Sequence, residues 1–268
     1  MESSGPADLQ LVREGRIFEA LNRQGTIGSL EALASAFRGD APGARVASSA
    51  LVIDASAFLR LSTYVDVVDY LNLRHAPPVV LPGQAIQEFW NNFNSAHQAI
   101  TTGIRSKFDQ LKAEIAKVDG EFEDFSTRFG ELITEFNDSF GYAYDGETVR
   151  RTISLFEALE GKASVSYARR EPFIGLAAIR NATKTPPGFK DNGDGDFFIW
   201  IDALEGLLAA KDAGEEFEHV VLITNDKKVD WSRDGIPHPV LTAEVDALLG
   251  VPLSMWDVKK LAAQIDAE

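Results

Sequence analysis

The chain has 268 residues, enough for one large domain or two modest ones with a self-sufficient core. It contains no cysteine, which excludes disulfides, thiolate metal sites and a cysteine nucleophile and suits a reducing cytoplasm. A formal net charge of −15 argues against attraction to polyanions over the whole surface, so any nucleic-acid contact has to be local.

The amino terminus, MESSGPADLQLVREGR, has no positive region followed by an apolar run. No apolar stretch approaches the roughly 20 residues of a membrane span, and a soluble, cytoplasmic protein is expected. Residues 1–47 read as an N-terminal helical appendage of two short helices, Asp8 to Leu21 and Ser29 to Phe37. Leu9, Leu11, Val12, Ile17, Phe18 and Leu21 form an apolar stripe on the first. The loop RGDAPGARVASS closes the pair, and the segment is expected to pack on the core or to hold a partner.

Residues 48–268 read as the main domain. Ala50-Leu51-Val52-Ile53 is a strand covered on both faces, with Asp54 at its carboxyl end. A helix runs to about Leu73, and Val79-Val80-Leu81 forms a short strand fenced by prolines. In the helix that follows, Ile86, Phe89 and Trp90 are expected on the buried side and Glu88 near the edge of that face. Residues from about 97 to 165 form a helical insertion. Apolar residues recur there in steps of three and four from Ile100 to Phe140, and one continuous helix would be roughly 60 Å long, too long for a compact domain of this size. A projecting arm or a hairpin bent near Gly120 or Gly130 is expected, with the apolar stripe serving as core or as a homodimer seam.

Basic residues gather before the next motif, at Arg150, Arg151, Lys162, Arg169, Arg170, Arg180, Lys184 and Lys190; a solvated helix face is the plain explanation. TPPGFKDNGDGDFFIW then places Asp196 where a helix begins, and VVLITNDKKVDW places Asp226 just past a second buried strand. Carboxyl ends of strands are where open α/β sheets hold ligands.

Asp54, Glu88, Asp196 and Asp226 are therefore candidates for one site. Each has a simpler role available: Asp54 and Asp196 as helix caps, Asp226 in an Asn-Asp turn, Glu88 as a solvated helix residue. Jointly they repel one another unless a cation neutralises them. His75, His97, His219 and His238 offer no paired spacing, so oxygen ligands and a hard ion such as Mg²⁺ or Mn²⁺ are indicated. An EF-hand fails because Ile199 falls where the loop needs glycine, and neither GxSxG nor a phosphate-binding GK[ST] loop is present.

Four segments, LVIDASAFLRL, LPGQAIQEFWNN, TPPGFKDNGDGDFFIW and VVLITNDKKVDW, resemble those of the PIN-domain nucleases, in particular a bacterial PIN-like branch first catalogued as a domain of unknown function. The resemblance covers residues 49 to about 256, though not the first 47, and across the insertion only in helicity. It implies a doubly wound α/β fold with a mostly parallel sheet, and a carboxylate cleft binding Mg²⁺ or Mn²⁺ to hydrolyse phosphodiesters. RNA is favoured over DNA as substrate, in a toxin or phage-defence setting. The family's acids fall on Asp54, Glu88, Asp196 and Asp226, with Asp191 and Asp230 as outer members. Lys190, Lys227 and Lys228 are candidates to orient the substrate, whereas Trp200 and Trp231 are expected in the core. Ala55-Ser56 replaces the more usual Thr-Asn or Ser-Asn, which would loosen support of the leading aspartate. A regulatory protein partner, or a non-catalytic binding module built on the same fold, is the other expectation.

Overall fold

The computed structural model describes residues 6–22, 28–38, 43–73, 76–93, 97–115, 117, 125–140, 146–190 and 193–268. Two helices open the chain, α1 (Pro6–Asn22) and α2 (Ser29–Arg38), before β1 (Ser49–Ile53), α3 (Phe58–Leu61) and α4 (Val65–Leu71). β2 (Val79–Pro82) leads directly into α5 (Gly83–Phe93), and then come α6 (His97–Ile115), α7 (Phe125–Phe140) and α8 (Gly146–Glu160). β3 (Ala163–Ser166), α9 (Ile174–Thr183), α10 (Gly195–Asp212) and β4 (His219–Ile223) complete the central part. A two-stranded antiparallel ribbon, β5 (Ser232–Arg233) with β6 (Ile236–Pro237), precedes α11 (Pro239–Leu249), β7 (Leu253–Trp256) and α12 (Val258–Ile265).

Among the described residues, five strands make one parallel sheet in the order β3-β2-β1-β4-β7. The central strands are buried along their whole length and apolar from Ala50 and Val220 onward, because helices cover both faces. Alternate residues divide between the two layers. Ala50, Val52, Val220 and Leu222 face a core shared with α1, α9, α10 and α11. Leu51, Ile53, Val221 and Ile223 face the other, shared with α3, α4, α8 and α12. The result is a three-layer α/β fold with helices on both faces of the sheet, as the sequence leads one to expect.

Helix α10 is apolar on nearly every side and is correspondingly buried, with Trp200 1% exposed and Ile201 and Leu204 fully covered. Burying each side chain of this size contributes about 1.5–3 kcal/mol. Two acids enter the interior with this helix, and both are matched. Asp202 accepts from the amides of Gln84 at 2.8 Å and Ala168 at 2.9 Å and from both terminal nitrogens of Arg170. Glu205 is held by Arg13 of α1 and by the Ser166 hydroxyl. Such multiple donors are what make a buried carboxylate tolerable.

Helix α1 belongs to this core. Ile17 and Leu21 are buried, and Glu14, 2% exposed, accepts from the amide and the guanidinium of Arg169 at 2.8 and 2.6 Å. The expected stripe divides, however, since Leu9, Leu11 and Val12 are exposed. Trp90 also departs from expectation: Ile86 and Phe89 of α5 are half-buried, but Trp90 is 66% exposed, two residues beyond the edge position that Glu88 occupies.

Among the described residues the expected helical insertion holds three helices, α6, α7 and α8, and runs into β3; the apolar run from Ile100 to Phe140 is divided between α6 and α7. Phe108 meets Phe129 and Phe136 edge-on, with ring centroids 5.8 and 5.1 Å apart, which joins the two along an aromatic seam. Gly130 lies inside α7, so the bend is not there, and Gly120 is outside the described residues. No helix among the described residues is long and apolar enough to cross a membrane.

Candidate functional site

Strand order reverses at the boundary between β1 and β4: β2 and β3 lie to one side, β7 to the other. Crevices at such switch points, outside the carboxyl ends of the strands, are the usual ligand positions in open α/β sheets. Asp54 follows β1 and Thr224-Asn225-Asp226 follows β4, and the two strands are paired in full register from Ser49 with His219 to Ile53 with Ile223. The Asp54 amide extends that pairing by donating to the Ile223 carbonyl at 3.0 Å.

The Asp54 side chain is 8% exposed and saturated with donors. One oxygen accepts from the Ala55 amide at 2.7 Å, so the capping role is realised. The other accepts from the Ser56 hydroxyl at 2.6 Å and the Thr224 hydroxyl at 2.8 Å. Burial pushes the Asp54 carboxyl above the ordinary aspartate range; these three bonds oppose the rise, and the charge of Asp226 adds to it. The loosened support expected from Ala55-Ser56 is not found: Ser56 itself and Thr224 hold the carboxylate. Ser56 also accepts from the Asn225 amide at 3.0 Å, which ties the two strand ends together.

Asp226 forms the turn its sequence suggests, with one oxygen accepting from the Lys228 amide at 2.8 Å. Its other oxygen lies 2.8 Å from the Lys228 ammonium. The same ammonium is 3.3 Å from Asp196 Oδ2, so two carboxylates share one cation. Asp196 is not a helix cap. That position of α10 belongs to Asp194, while Asp196 sits in the first turn and accepts from the Trp231 indole at 3.2 Å.

Glu88 lies against this helix end. A β-carbon at Gly195, the residue before Asp196, would collide with Glu88 Oε1, and Gln84 donates to the same oxygen across 3.4 Å. Asp54, Asp226 and Asp196 are therefore joined as a chain of contacts, with Glu88 beside the last of them. Among the described residues, no three histidine, aspartate or glutamate side chains are disposed so as to hold a metal ion.

The remaining candidates divide. Asp230 is fully buried, and one of its oxygens accepts from the amides of Gly188 at 3.1 Å and Lys190 at 3.2 Å. It fastens the loop that precedes α10, in which Gly188 has φ of +95° and packs against Asp196, a position suited to glycine. Asp191 lies outside the described residues. Lys190 and Lys227 are exposed; the former approaches the Phe189 ring and the latter lies 3.8 Å from Glu135 of α7.

The basic cluster read from the sequence is largely exposed, at Arg150, Arg151, Lys162, Arg169, Lys184 and Lys190, with Arg170 half-buried and Arg180 buried. Arg169 pairs with Glu14, Arg170 with Asp202 and Arg180 with Glu244, while Lys162 donates to the Leu73 carbonyl. These contacts join elements of the fold, although of the eight residues only Arg180 is withdrawn from solvent. Trp200 and Trp231 are core residues, as expected, and they meet edge-on at 6.2 Å. The contributions that sequence reasoning passes over are Thr224, as a donor to Asp54, and Trp231, as a donor to Asp196. The Thr-Asn-Asp run is plain in the sequence, but the direction of its first hydroxyl depends on the strand pairing.

No protein-family model, curated protein or solved structure matches this chain.

Proposed function

We propose that the chain is a metal-dependent nuclease of the PIN-like kind, hydrolysing phosphodiester bonds with RNA as the favoured substrate. One observation carries this: Asp54 and Asp226 stand at the carboxyl ends of the two central strands where strand order reverses, and Asp226 shares a cation with Asp196.

The donor set suits a hard divalent ion, because the available ligands are carboxylate oxygens and a cation already stands between two of them. Asp196 and Asp226 would hold such an ion, with Asp54 and Glu88 completing the acidic surround. When bound, the ion supplies an activated water and neutralises charge at the attacked phosphate. The chain's own residues do the rest. Ser56 and Thr224 fix the Asp54 carboxylate, Trp231 orients Asp196, and Asp230 fastens the loop leading into α10. Lys190, Lys227 and Lys228 would meet a phosphodiester backbone, which suits a chain whose net charge confines polyanion binding to a small region.

The test is release of fragments from generic RNA and single-stranded DNA with Mn²⁺ or Mg²⁺, compared with chelator. Cleavage that needs the ion and disappears in Asp54→Asn and Asp226→Asn is the expected result. Equal cleavage by the variants and the parent would mean that another enzyme is responsible.

A second reading has its own support. Val12, Leu30 and Phe37 of α1 and α2 are 61, 73 and 85% exposed, which favours a protein-binding surface on the N-terminal helices. In that reading the chain binds a partner and shows no metal-dependent cleavage.

A further inference from the structure

Lys228 is the cation that the acidic site holds. Its ammonium lies 2.8 Å from Asp226 and 3.3 Å from Asp196, and its own amide donates to the other oxygen of Asp226 at 2.8 Å. The backbone bond fixes where the side chain starts and the two ion pairs fix where it ends. The lysine side chain is 33% exposed, whereas those of Asp196 and Asp226 are 11 and 17% exposed, so the ammonium reaches the carboxylates from the solvent side and has a path back.

Its departure would leave both acids in place. Asp196 keeps the Trp231 indole, which belongs to a side chain 3% exposed and packed against Trp200. Asp226 keeps the Lys228 amide, and its own amide keeps its bond to the Thr224 hydroxyl. The acidic seat is therefore held by bonds that do not involve the ammonium. An ammonium and a divalent ion repel each other at such distances and compete for the same oxygens.

Resting on the nuclease reading above, we propose that Lys228 is a tethered counter-ion that competes with the divalent ion for Asp196 and Asp226, so that metal loading expels its ammonium from the site. The apparent affinity for the ion is then lowered by the fraction of time the lysine spends in place. The expelled ammonium remains attached two residues from Asp226, at the rim where a phosphodiester would lie.

The experiment is Mn²⁺ binding to the full chain by isothermal titration calorimetry, with thermal melting in parallel. Lys228→Met is expected to bind Mn²⁺ at least about tenfold more tightly than the parent, within the usual range of coupling between two ligands. It should melt lower than the parent in chelator, because the two carboxylates then lose the ammonium between them, and should gain more from Mn²⁺. Lys228→Arg, which keeps a cation, should show no such gain. Adding Asp226→Asn to Lys228→Met should abolish it. Unchanged or weaker Mn²⁺ binding by Lys228→Met overturns the counter-ion role while leaving the nuclease reading standing. No Mn²⁺ binding by either protein, together with no metal-dependent cleavage, overturns both.

Discussion

Thr224 donates its hydroxyl to the carboxylate of Asp54 across 2.8 Å, a buried hydrogen bond between the carboxyl ends of two central strands. The same oxygen of Thr224 accepts from the Asp226 amide at 3.0 Å, so one hydroxyl positions both strand-end acids. Thr224→Val preserves shape and removes all of this. It should lower stability by about 1–3 kcal/mol, the cost of leaving a buried carboxylate and an amide short of partners. Cleavage should fall by about 10–100-fold, as when groups that orient metal ligands are lost. Denaturant melts and single-turnover cleavage measure the two effects separately; an unchanged rate would remove Thr224 from the site.

Asp54 is costly to bury as a charge, and the sign of its pH dependence follows. Its folded value is raised above the ordinary aspartate value of about 3.9, chiefly by burial. The stability its neutral form contributes is complete below that unfolded value and is lost as pH rises through the raised folded one. Asp54→Asn should therefore be more stable than the parent at neutral pH, by about 0.5–2 kcal/mol, as is common where a functional group is strained. The advantage should shrink as the medium is acidified, because the parent's carboxyl then becomes neutral too. Thermal melting of both proteins from neutral to acidic pH checks this, and an advantage that grew on acidification would contradict it. Cleavage should be abolished throughout.

Arg180 and Glu244 test the frame beneath the site. Both are almost wholly buried; the guanidinium meets the carboxylate at 2.6 and 3.3 Å and also donates to the Pro186 carbonyl in the loop before α10. Glu244 in turn accepts from the Trp200 indole at 2.8 Å. Burial holds the Glu244 carboxyl above its usual range even with Arg180 opposing the rise. Arg180→Met should cost about 3–5 kcal/mol, since an uncompensated charge stays inside. Adding Glu244→Gln, which keeps an acceptor for Trp200, should recover much of that loss. The penalty of the single variant should also diminish as pH falls and Glu244 takes up a proton. Urea melts of the parent, single and double variants measure the coupling; additive losses would mean that the pair does not act as one unit.

How much of this can be read in the sequence depends on whether local pattern or tertiary placement decides. The β1 and β4 runs are recognisable because strands covered on both faces are continuously apolar, as Leu51 to Ile53 and Val220 to Ile223 are. β3, Ala163–Ser166, escapes notice because it is short and polar: it is an edge strand whose Val165 is 52% exposed, so its pairing with β2 supplies what its composition does not. The steps of three and four from Ile100 to Phe140 reveal helix, yet they are the same for one rod and for two helices packed through Phe108 and Phe129. Within the site, Asp54 and Asp226 are legible because strand ends are. Lys228 between two acids is not, because a lysine two residues past an aspartate usually points to water.

The notch at Gly195 offers a way to reach Glu88 without touching it. A β-carbon there would collide with Glu88 Oε1, the end of a flexible side chain, so Gly195→Ala should displace the carboxylate and leave the backbone alone. Alanine in the first turn of α10 replaces glycine at a helical position, so stability should change by less than about 1 kcal/mol. If Glu88 contributes to holding the ion, Gly195→Ala and Glu88→Ala should each weaken Mn²⁺ binding, and the double variant should be no worse than Glu88→Ala alone. Residues acting through one another are non-additive in this way. Calorimetric titration of the three variants decides the matter. Additive losses would place Gly195 and Glu88 in separate roles, and unaltered binding in all three would leave the ion to Asp196 and Asp226 with Asp54 behind them.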